Sequence, residues 1–435
     1  MNSRFKFWVV SCSTCLVLLL LLGAVHGRSA NPEDTYRHLA VYTEVLQHIK
    51  SDYVEEPDMK GVTLGALNGM LESIDPYASY LSADQYKQYL KNKGQHKADI
   101  GLVLSKKFGY IGIVDAVPGS PAAKAGLTTT DVIETINGVA TRDMPLAFAE
   151  ELLQGDAGTT VELGVLRYRN PEPTKLTLTR AQIRYPVVLA KMLPDDIGLV
   201  QVQSLEGNNV KEVAAKLQEL EKQGAKRLIL DLRHCATGDP DKGIELANLF
   251  LDKGVITYMQ GQKQAREDIK ANPAEDISRH LPLVVVTNRG TADGAEIAAA
   301  ALLDDKRADV VGDRTYGDAS IRKAITMDDG SAVILSVAKY YSPSGKAIQD
   351  TGVMPTVPVL DVEPAPETDD DGNAPQAETQ QPKSSDDPVL KKAIEVVTKG
   401  KADTASSAEP AAPAANPHAL PPDNPSHVPA PDKKP

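Results

Sequence analysis

The spacing of apolar and polar positions changes several times along this chain of 435 residues. Residues 31–95 carry apolar side chains three or four positions apart, as in YRHLAVYTEVLQHIKSDYV, which predicts helices packed as a small bundle. Residues 98–182 instead consist of short β-type runs separated by Gly, Pro and Asn-Gly, with one short helix near 145–153. This second pattern predicts a small β-rich module.

Residues 183–360 alternate between apolar strands and amphipathic helices. The strands IGLVQVQ, RLILDLR, LPLVVVTN and ADVVGD are separated by predicted helices at 208–223, 241–252 and 293–303. Such alternation predicts a mostly parallel sheet covered on both faces, so the fold class is multidomain α/β. The run AVILSVAKYYSPSGKAIQ that follows predicts antiparallel strands. Ligands of open sheets bind beyond the carboxyl ends of the strands, where DLRHCATGD and TNRGTADGAEI lie.

Both ends of the chain differ from the regions between them. Residues 1–28 hold a basic start, Arg4 and Lys6, followed by an apolar run over 7–24, which predicts a signal peptide or an N-terminal membrane anchor. The protein is therefore expected to be exported, to a bacterial periplasm or cell envelope. Residues 361–435 are rich in Pro, Ala, Asp and Gln, which predicts a disordered tail interrupted by one short helix at 387–400.

Composition narrows the classes of function. The net charge is -12, with 14 acidic and 7 basic residues after position 360, so nothing supplies the basic surface that nucleic-acid binding requires. After loss of the N-terminal segment Cys235 is the remaining cysteine, so no internal disulfide forms, and no Cys/His cluster has zinc spacing. We expect no metal and no cofactor, and membrane contact only through the N-terminal segment.

The β-rich module resembles a PDZ domain. The resemblance rests on DIGLVL at 99–104 and VPGSPAAKAGLTTTDVIETING at 117–138. It implies that Ile100, Gly101, Leu102 and Val103 bind peptides or protein C-termini: exposed N–H groups of Gly101 and Leu102 would hold a C-terminal carboxylate, and the strand edge would add a peptide strand. The family's loop usually opens with Gly, whereas this chain has Asp99, a carboxylate that would weaken the fit.

The whole order of regions resembles the carboxy-terminal processing, or tail-specific, proteases. The motifs are IDPYASYLS at 74–82, LILDLR at 228–233 and AKYYSPSGKAIQDTGVMPTVPV at 338–359. Members of that family are serine peptidases that use a Ser–Lys dyad. The resemblance covers roughly 35–400 and implies the peptidase fold for residues 183–360.

Four positions of the family's active site depart together. The nucleophilic Ser falls on Asp293, and the Lys base falls on Asp318, with the family's spacing of 25 kept. The Gln that supports the base falls on Arg322, which would pair with Asp318 or Asp293. The Asn-Pro-Gly-Gly loop of the oxyanion hole becomes Cys-Ala-Thr-Gly, so Thr237 and Gly238 stand at its glycines.

These substitutions predict that the family's acyl-enzyme chemistry is absent. Asp293 has no hydroxyl to act as the nucleophile, and the carboxylate of Asp318 is a much weaker base than a neutral amine. Thr237 restricts the approach of a backbone N–H to a reacting carbonyl. The leading interpretation is a pseudoprotease that acts as an adaptor or regulator, with an envelope protein or an oligomer as possible partner.

Several alternatives stay open. Asp293 and Asp318 could share one proton and activate water, or hold a divalent cation. Thr291 or Ser320 could replace the nucleophile, with Lys323 as base; His234 and Cys235 are adjacent but would point apart. At the level of function, the alternatives are an active endopeptidase of the same family and an envelope scaffold whose PDZ groove is blocked.

Overall fold

The computed structural model describes residues 32–92, 98–107, 109–142, 144–167, 170–278, 281–360 and 387–399. Its first unit contains two helices, α1 (Pro32–Asp52) and α2 (Met59–Glu72). Asp58 caps α2, because its side chain accepts a hydrogen bond from the N–H of Lys60 at 3.0 Å. Among the described residues, none of the helices combines the length and the apolar character that crossing a membrane requires. The predicted signal or anchor at 1–28 lies outside the described residues.

The second unit begins at Asp75, inside the region predicted as a helical bundle. Its first elements are strand β1 (Ser79–Leu81) and helix α3 (Ala83–Asn92). Strand β1 pairs antiparallel with residues 332–334, so the prediction of a helical region over 31–95, broken only at Asp75-Pro76, was wrong for these three residues. The local spacing favoured a helix, but the backbone of these three residues is satisfied by a partner far away in the sequence.

The β-rich module folds as predicted from its turns. Its elements are β2 (Leu102–Lys107), β3 (Tyr110–Ala116), α4 (Pro121–Lys124), β4 (Val132–Ile136), β5 (Val139–Ala140), α5 (Leu146–Leu153), β6 (Thr160–Arg167) and β7 (Asn170–Thr179). They form an antiparallel sheet in the order β2-β3-β4-β6-β7, with β5 on β4. Strand β2 is therefore an edge strand of the described sheet, and α5 packs beside it, with Leu104 and Leu153 in one buried cluster.

The last region contains the alternating elements that the sequence predicted. They are β8 (Leu189–Leu193), β9 (Ile197–Gln201), α6 (Asn209–Lys222), β10 (Arg227–Asp231), α7 (Pro240–Asn248), β11 (Val255–Gln260), β12 (Glu267–Lys270), β13 (Leu283–Thr287), α8 (Gly294–Asp304), β14 (Ala308–Gly312), β15 (Ser320–Thr326), β16 (Ala332–Tyr341), β17 (Val357–Pro358) and α9 (Pro388–Lys399).

Two sheets organise this region. The first has the order β17-β14-β13-β10-β9-β8 and is parallel except for β8, which runs antiparallel to β9. The second is antiparallel, in the order β1-β16-β11-β12 with β15 on β16. The mixed α/β fold class is confirmed. Strands β8, β11, β12, β15 and β17 did not stand out in the sequence because they are short or lack a clear apolar alternation.

Both faces of the parallel sheet are covered. Helices α6, α7 and α8 pack on one face, around a cluster that includes Leu230, Val285 and Phe250. Helix α9 covers the other face, where its apolar side chains pack on Ile229 and Val284. The predicted helix at 387–400 is thus observed at 388–399 and belongs to the folded core; the rest of the predicted tail, 361–386 and 400–435, lies outside the described residues.

Candidate active site and peptide groove

The turn after strand β13 presents Asp293 in a strained backbone conformation. Its φ of 52° and ψ of -124° place a non-glycine residue at positive φ, immediately before α8 begins at Gly294. Thr291 fixes the turn, because its hydroxyl donates to the carbonyl of Leu232 at 2.9 Å and accepts from the N–H of Asn288 at 3.1 Å. Nucleophile elbows of hydrolases use a strained strand-to-helix turn of this kind to expose one side chain.

Glu296, one turn into α8, ties this turn to a second loop. Its fully buried carboxylate accepts hydrogen bonds from the hydroxyl of Thr315, from the N–H groups of Gly317 and Asp318 at 2.7 Å each, and from the N–H of Asp293 at 3.2 Å. Burial raises the pKa of Glu296 to about 8, while the donated hydrogen bonds act in the opposite direction. Glu296 therefore holds residues 293 and 318 at one place.

Asp318 is neutralised by Arg322. The guanidinium of Arg322 forms an ion pair with the Asp318 carboxylate, and it lies 4.0 Å from the centre of the Tyr77 ring. Burial raises the pKa of Asp318, and Arg322 opposes that shift. Burial also raises the pKa of Asp293 well above its usual range, and the nearby carboxylate of Asp318 adds to the shift. The site thus holds an acid at 293 near an acid–guanidinium pair.

The loop after strand β10 abuts the start of α8. A Cβ on Gly294 would lie 2.7 Å from the carbonyl oxygen of Asp239 and 3.1 Å from that of Gly238. Gly238 has a φ of 117°, and a Cβ there would lie 2.4 Å from Leu205 Cβ, so glycine is required. The hydroxyl of Thr237 donates to Ser204 Oγ at 2.8 Å. The structure therefore brings together the two segments that the sequence singled out.

Other hydroxyl and thiol groups near the turn have structural partners. Thr291 is completely buried in the hydrogen bonds described above. Ser320 Oγ lies 2.9 Å from Ser336 Oγ on the neighbouring strand, and Lys323 is exposed. Cys235 is completely buried, and burial raises the pKa of its thiol far above the usual range. The arrangement gives none of these side chains the activated contact that a nucleophile needs.

His234 joins the two domains rather than pairing with Cys235. Its Nδ1 lies 3.3 Å from Asp115 Oδ1 on strand β3, and its Nε2 lies 3.0 Å from Asn288 Nδ2. A second contact of this kind links Tyr316 to Ser105 on strand β2 through their hydroxyl groups. The β-rich module is thus fixed against the loops of the candidate active site by polar contacts.

The loop at residues 99–102, which was predicted to bind a ligand's carboxylate, differs in structure from that prediction. Ile100 is completely buried, and Leu102 and Val103 are half-buried in strand β2. The N–H of Gly101 is not exposed for a ligand: it donates to Asp99 Oδ1 at 2.8 Å, and the N–H of Ile100 donates to the same oxygen at 2.5 Å. The sequence revealed Asp99 as a departure but did not reveal that its carboxylate turns into the loop.

Two functional residues were missed as such from the sequence. Glu296 was part of the quoted motif, but its role depends on a loop that approaches from residues 315–318. Tyr77 was read as part of a helical region, although it packs under Arg322. No cluster of three or more His, Cys, Asp or Glu side chains suited to a metal ion occurs in the part of the chain that the structure describes.

Comparison with known proteins gives matches for both the β-rich module and the α/β region. Residues 112–167 match the model of a PDZ domain, and residues 196–359 match the model of peptidase family S41. The carboxy-terminal processing protease CtpA of Bacillus subtilis is 35% identical over 316 residues, which are 72% of this chain and 67% of that protein. The carboxyl-terminal-processing protease of a Synechocystis strain is 31% identical over 373 residues, with 80% of this chain and 86% of that protein covered.

Solved structures agree with the sequence matches. The photosystem II D1 C-terminal processing protease superimposes with a TM-score of 0.61 at 26% identity, covering 74% of this chain and 92% of that one. The chain therefore belongs to the carboxy-terminal processing proteases of peptidase family S41, with a PDZ domain preceding the peptidase-fold domain.

Proposed function

We propose that this chain is an exported, non-cleaving member of the family that binds polypeptide chains at or near their C-termini and acts as an adaptor or regulator in the cell envelope. The observation that carries the proposal is the side chain on the strained turn. Asp293 occupies the position where a strand-to-helix turn presents a nucleophile, and it offers a carboxyl group instead of a hydroxyl.

The chemistry around the turn supports loss of acyl transfer. A Ser–Lys mechanism needs a neutral, desolvated amine beside the hydroxyl, whereas Asp318 is a carboxyl group paired with Arg322. An ionised carboxylate at 293 would oppose the negative charge that develops on the oxyanion. Both effects act on the formation of the acyl-enzyme. Binding of a polypeptide chain would therefore be retained, and formation of the acyl-enzyme would be lost.

A second candidate function is an active peptidase that uses other groups. The names of the relatives favour it, since proteins 35% and 31% identical to this chain are called processing proteases. The half-buried Asp293 and Asp318 are the side chains that would share a proton and activate water in such an enzyme. Arg322 argues against this, because it already holds Asp318.

Hydrolysis of fluorescently labelled casein separates the two candidates. The natural protein is compared with Asp293→Ala and with a variant carrying Asp293→Ser, Asp318→Lys and Arg322→Gln. We expect no hydrolysis by the natural protein and measurable hydrolysis by the triple variant. Metal-independent hydrolysis that disappears in Asp293→Ala would overturn the proposal, as would a covalent adduct of a serine-directed inhibitor with the natural protein.

A further inference from the structure

We infer that Asp99 acts as a built-in substitute for a ligand's terminal carboxylate and that the groove between β2 and α5 therefore selects chain segments without a free carboxylate at this loop. The inference rests on the proposed function, because it assumes that this groove binds polypeptide. It deepens that function by naming the ligand class: an extended internal segment, near a C-terminus but not ending in the loop.

The position of the Asp99 carboxylate is the first support. A C-terminal carboxylate in a loop of this kind is held by successive backbone N–H groups. Here the N–H groups of Ile100 and Gly101 both donate to Asp99 Oδ1, at 2.5 and 2.8 Å. Two successive donors of the loop, including the Gly101 N–H that a ligand would use, are therefore engaged by the protein's own anion.

The backbone around Asp99 holds this carboxylate in place. The N–H of Asp99 donates to the carbonyl of Ala181 at 3.0 Å, and the N–H of Ala181 donates back at 2.9 Å. Gly101 is packed against Ser120, where a Cβ would approach within 2.3 Å of the serine Cβ, and its φ is 80°. A loop clamped on both sides cannot turn its N–H groups toward a second acceptor without breaking these contacts.

The charges near the loop are the second support. Glu150, on α5, has a pKa raised to about 7, because desolvation outweighs the opposing charge of Arg322 and the carboxylates of Asp318 and Asp99 add to the shift. The guanidinium of Arg180, whose charge acts on Asp99, is directed at the end of α5: it donates to the carbonyls of Leu152 and Leu153 at 2.9 and 2.8 Å. A terminal carboxylate entering the loop would meet the carboxylate of Asp99, and like charges in a partly desolvated site repel strongly.

A chain that continues past the loop avoids these costs. It carries no charge at that point, and it can still pair with β2, the edge strand of the described sheet, where Leu102 is half-buried. Repulsion and occupied N–H donors thus disfavour a ligand that ends in a free carboxylate at the loop. Pairing with the strand edge favours a ligand whose chain continues past the loop.

The test uses fluorescence polarisation of the purified full-length protein with three labelled peptides. The peptides share one sequence ending in three aliphatic residues: the free acid, its C-terminal amide, and a form extended by four alanines. The protein variants are Asp99→Gly, which frees both N–H groups, and Asp99→Asn, which keeps the acceptor oxygen but removes the charge. Asp156→Gly is the matched control, since it makes the same change at an exposed loop position of the same module.

We expect the natural protein and Asp156→Gly to bind the amide and the extended peptide roughly tenfold more tightly than the acid, which a difference of about 1.4 kcal/mol would produce. Asp99→Gly should reverse this preference, and Asp99→Asn should fall between the two. A natural protein that prefers the acid, or a preference unchanged in Asp99→Gly, would overturn the inference while leaving peptide binding intact.

Two further outcomes separate this inference from the proposed function. If the natural protein binds none of the peptides but Asp99→Gly gains binding of the acid, the blocking role of Asp99 is supported and the proposed binding function fails. If no variant binds any peptide, both are refuted.

Discussion

Asp387 is predicted to control how firmly helix α9 stays docked on the parallel sheet. Its two carboxylate oxygens accept hydrogen bonds from Arg233 at 3.2 and 2.7 Å, and Oδ1 also accepts the N–H of Leu390 at 2.9 Å, at the start of the helix. Both charged side chains are only 13% exposed. Arg233 is held from its other side by Asp231, so the three residues form one ionic network.

The cost of Asp387→Ala follows from these contacts. The two charge-assisted hydrogen bonds that Asp387 accepts from Arg233 are worth about 1.5 kcal/mol each. This is the lower end of their range, and we use it because Arg233 stays paired with Asp231 when Asp387 is removed. Loss of the helix cap adds about 1 kcal/mol. Burial of the four large, buried apolar side chains of α9 stabilises its docking by roughly 6–12 kcal/mol. A total loss of about 4 kcal/mol therefore leaves the helix docked. It makes the undocked state about a thousandfold more populated.

Hydrogen–deuterium exchange of residues 388–399, read by mass spectrometry, measures this opening. Asp387→Ala should lower the protection of α9 by roughly three orders of magnitude, and Asp387→Asn should lower it less because one acceptor for the cap remains. The control is Glu395→Gln, which removes a partly exposed pair with Lys392 in the same helix and should change protection little. A change in Asp387→Ala no larger than in the control would refute the reasoning.

The same network fixes a pH dependence. Burial alone would raise the pKa of Asp387, but the hydrogen bonds from Arg233 and from the helix start outweigh it, and the net pKa is lowered from 3.8. The folded protein therefore binds fewer protons here than the unfolded chain, so the stabilisation is present above about pH 4 and is lost as pH falls through the lowered pKa. Protection of α9 that stays constant on acidification would contradict this.

Three more outcomes follow from the contacts around the turn. Glu296→Gln should destabilise the protein by about 1–3 kcal/mol in thermal unfolding, because an amide nitrogen would face the N–H of Asp318; an unchanged unfolding midpoint would contradict this. Cys235 should resist iodoacetamide in the folded protein and react in urea, and rapid native labelling would show that it is not buried. Gly243→Ala should cost about 1–3 kcal/mol, since its Cβ would lie 1.9 Å from a backbone carbonyl of α8. Gly65→Ala, with open space around it, is the control and should be neutral or slightly stabilising.

The sequence predicted the parts of this fold whose signal is local. The strands that became β9, β10, β13 and β14 are continuous apolar runs, and the helices between them began and ended within a few residues of their predicted limits. Ser79–Leu81 was missed because a three-residue strand has no pattern of its own and exists only through its pairing with residues 332–334. Long-range pairing of this kind is invisible to spacing along the chain.

In the candidate site, too, the sequence predicted some residues and could not predict the long-range contacts. Asp293 and Asp318 were found because they stand at positions of a recognisable motif. The four hydrogen bonds of Glu296 were not, because three of their donors come from a loop about twenty residues further along the chain. The orientation of the Asp99 side chain was equally out of reach, since a carboxylate that points into a loop and one that points to solvent have the same sequence.

The pose of residue 293 is set by its neighbours and not by its own side chain. Thr291 anchors the turn from below, Glu296 accepts the N–H of residue 293, and the carbonyls of residues 238 and 239 press against Gly294. The backbone conformation therefore fixes the direction of any side chain at this position. Maintaining that strained conformation costs roughly 1–3 kcal/mol. A thiol, a hydroxyl or an unnatural reactive group introduced at position 293 should therefore be presented in the same direction as the present carboxyl group.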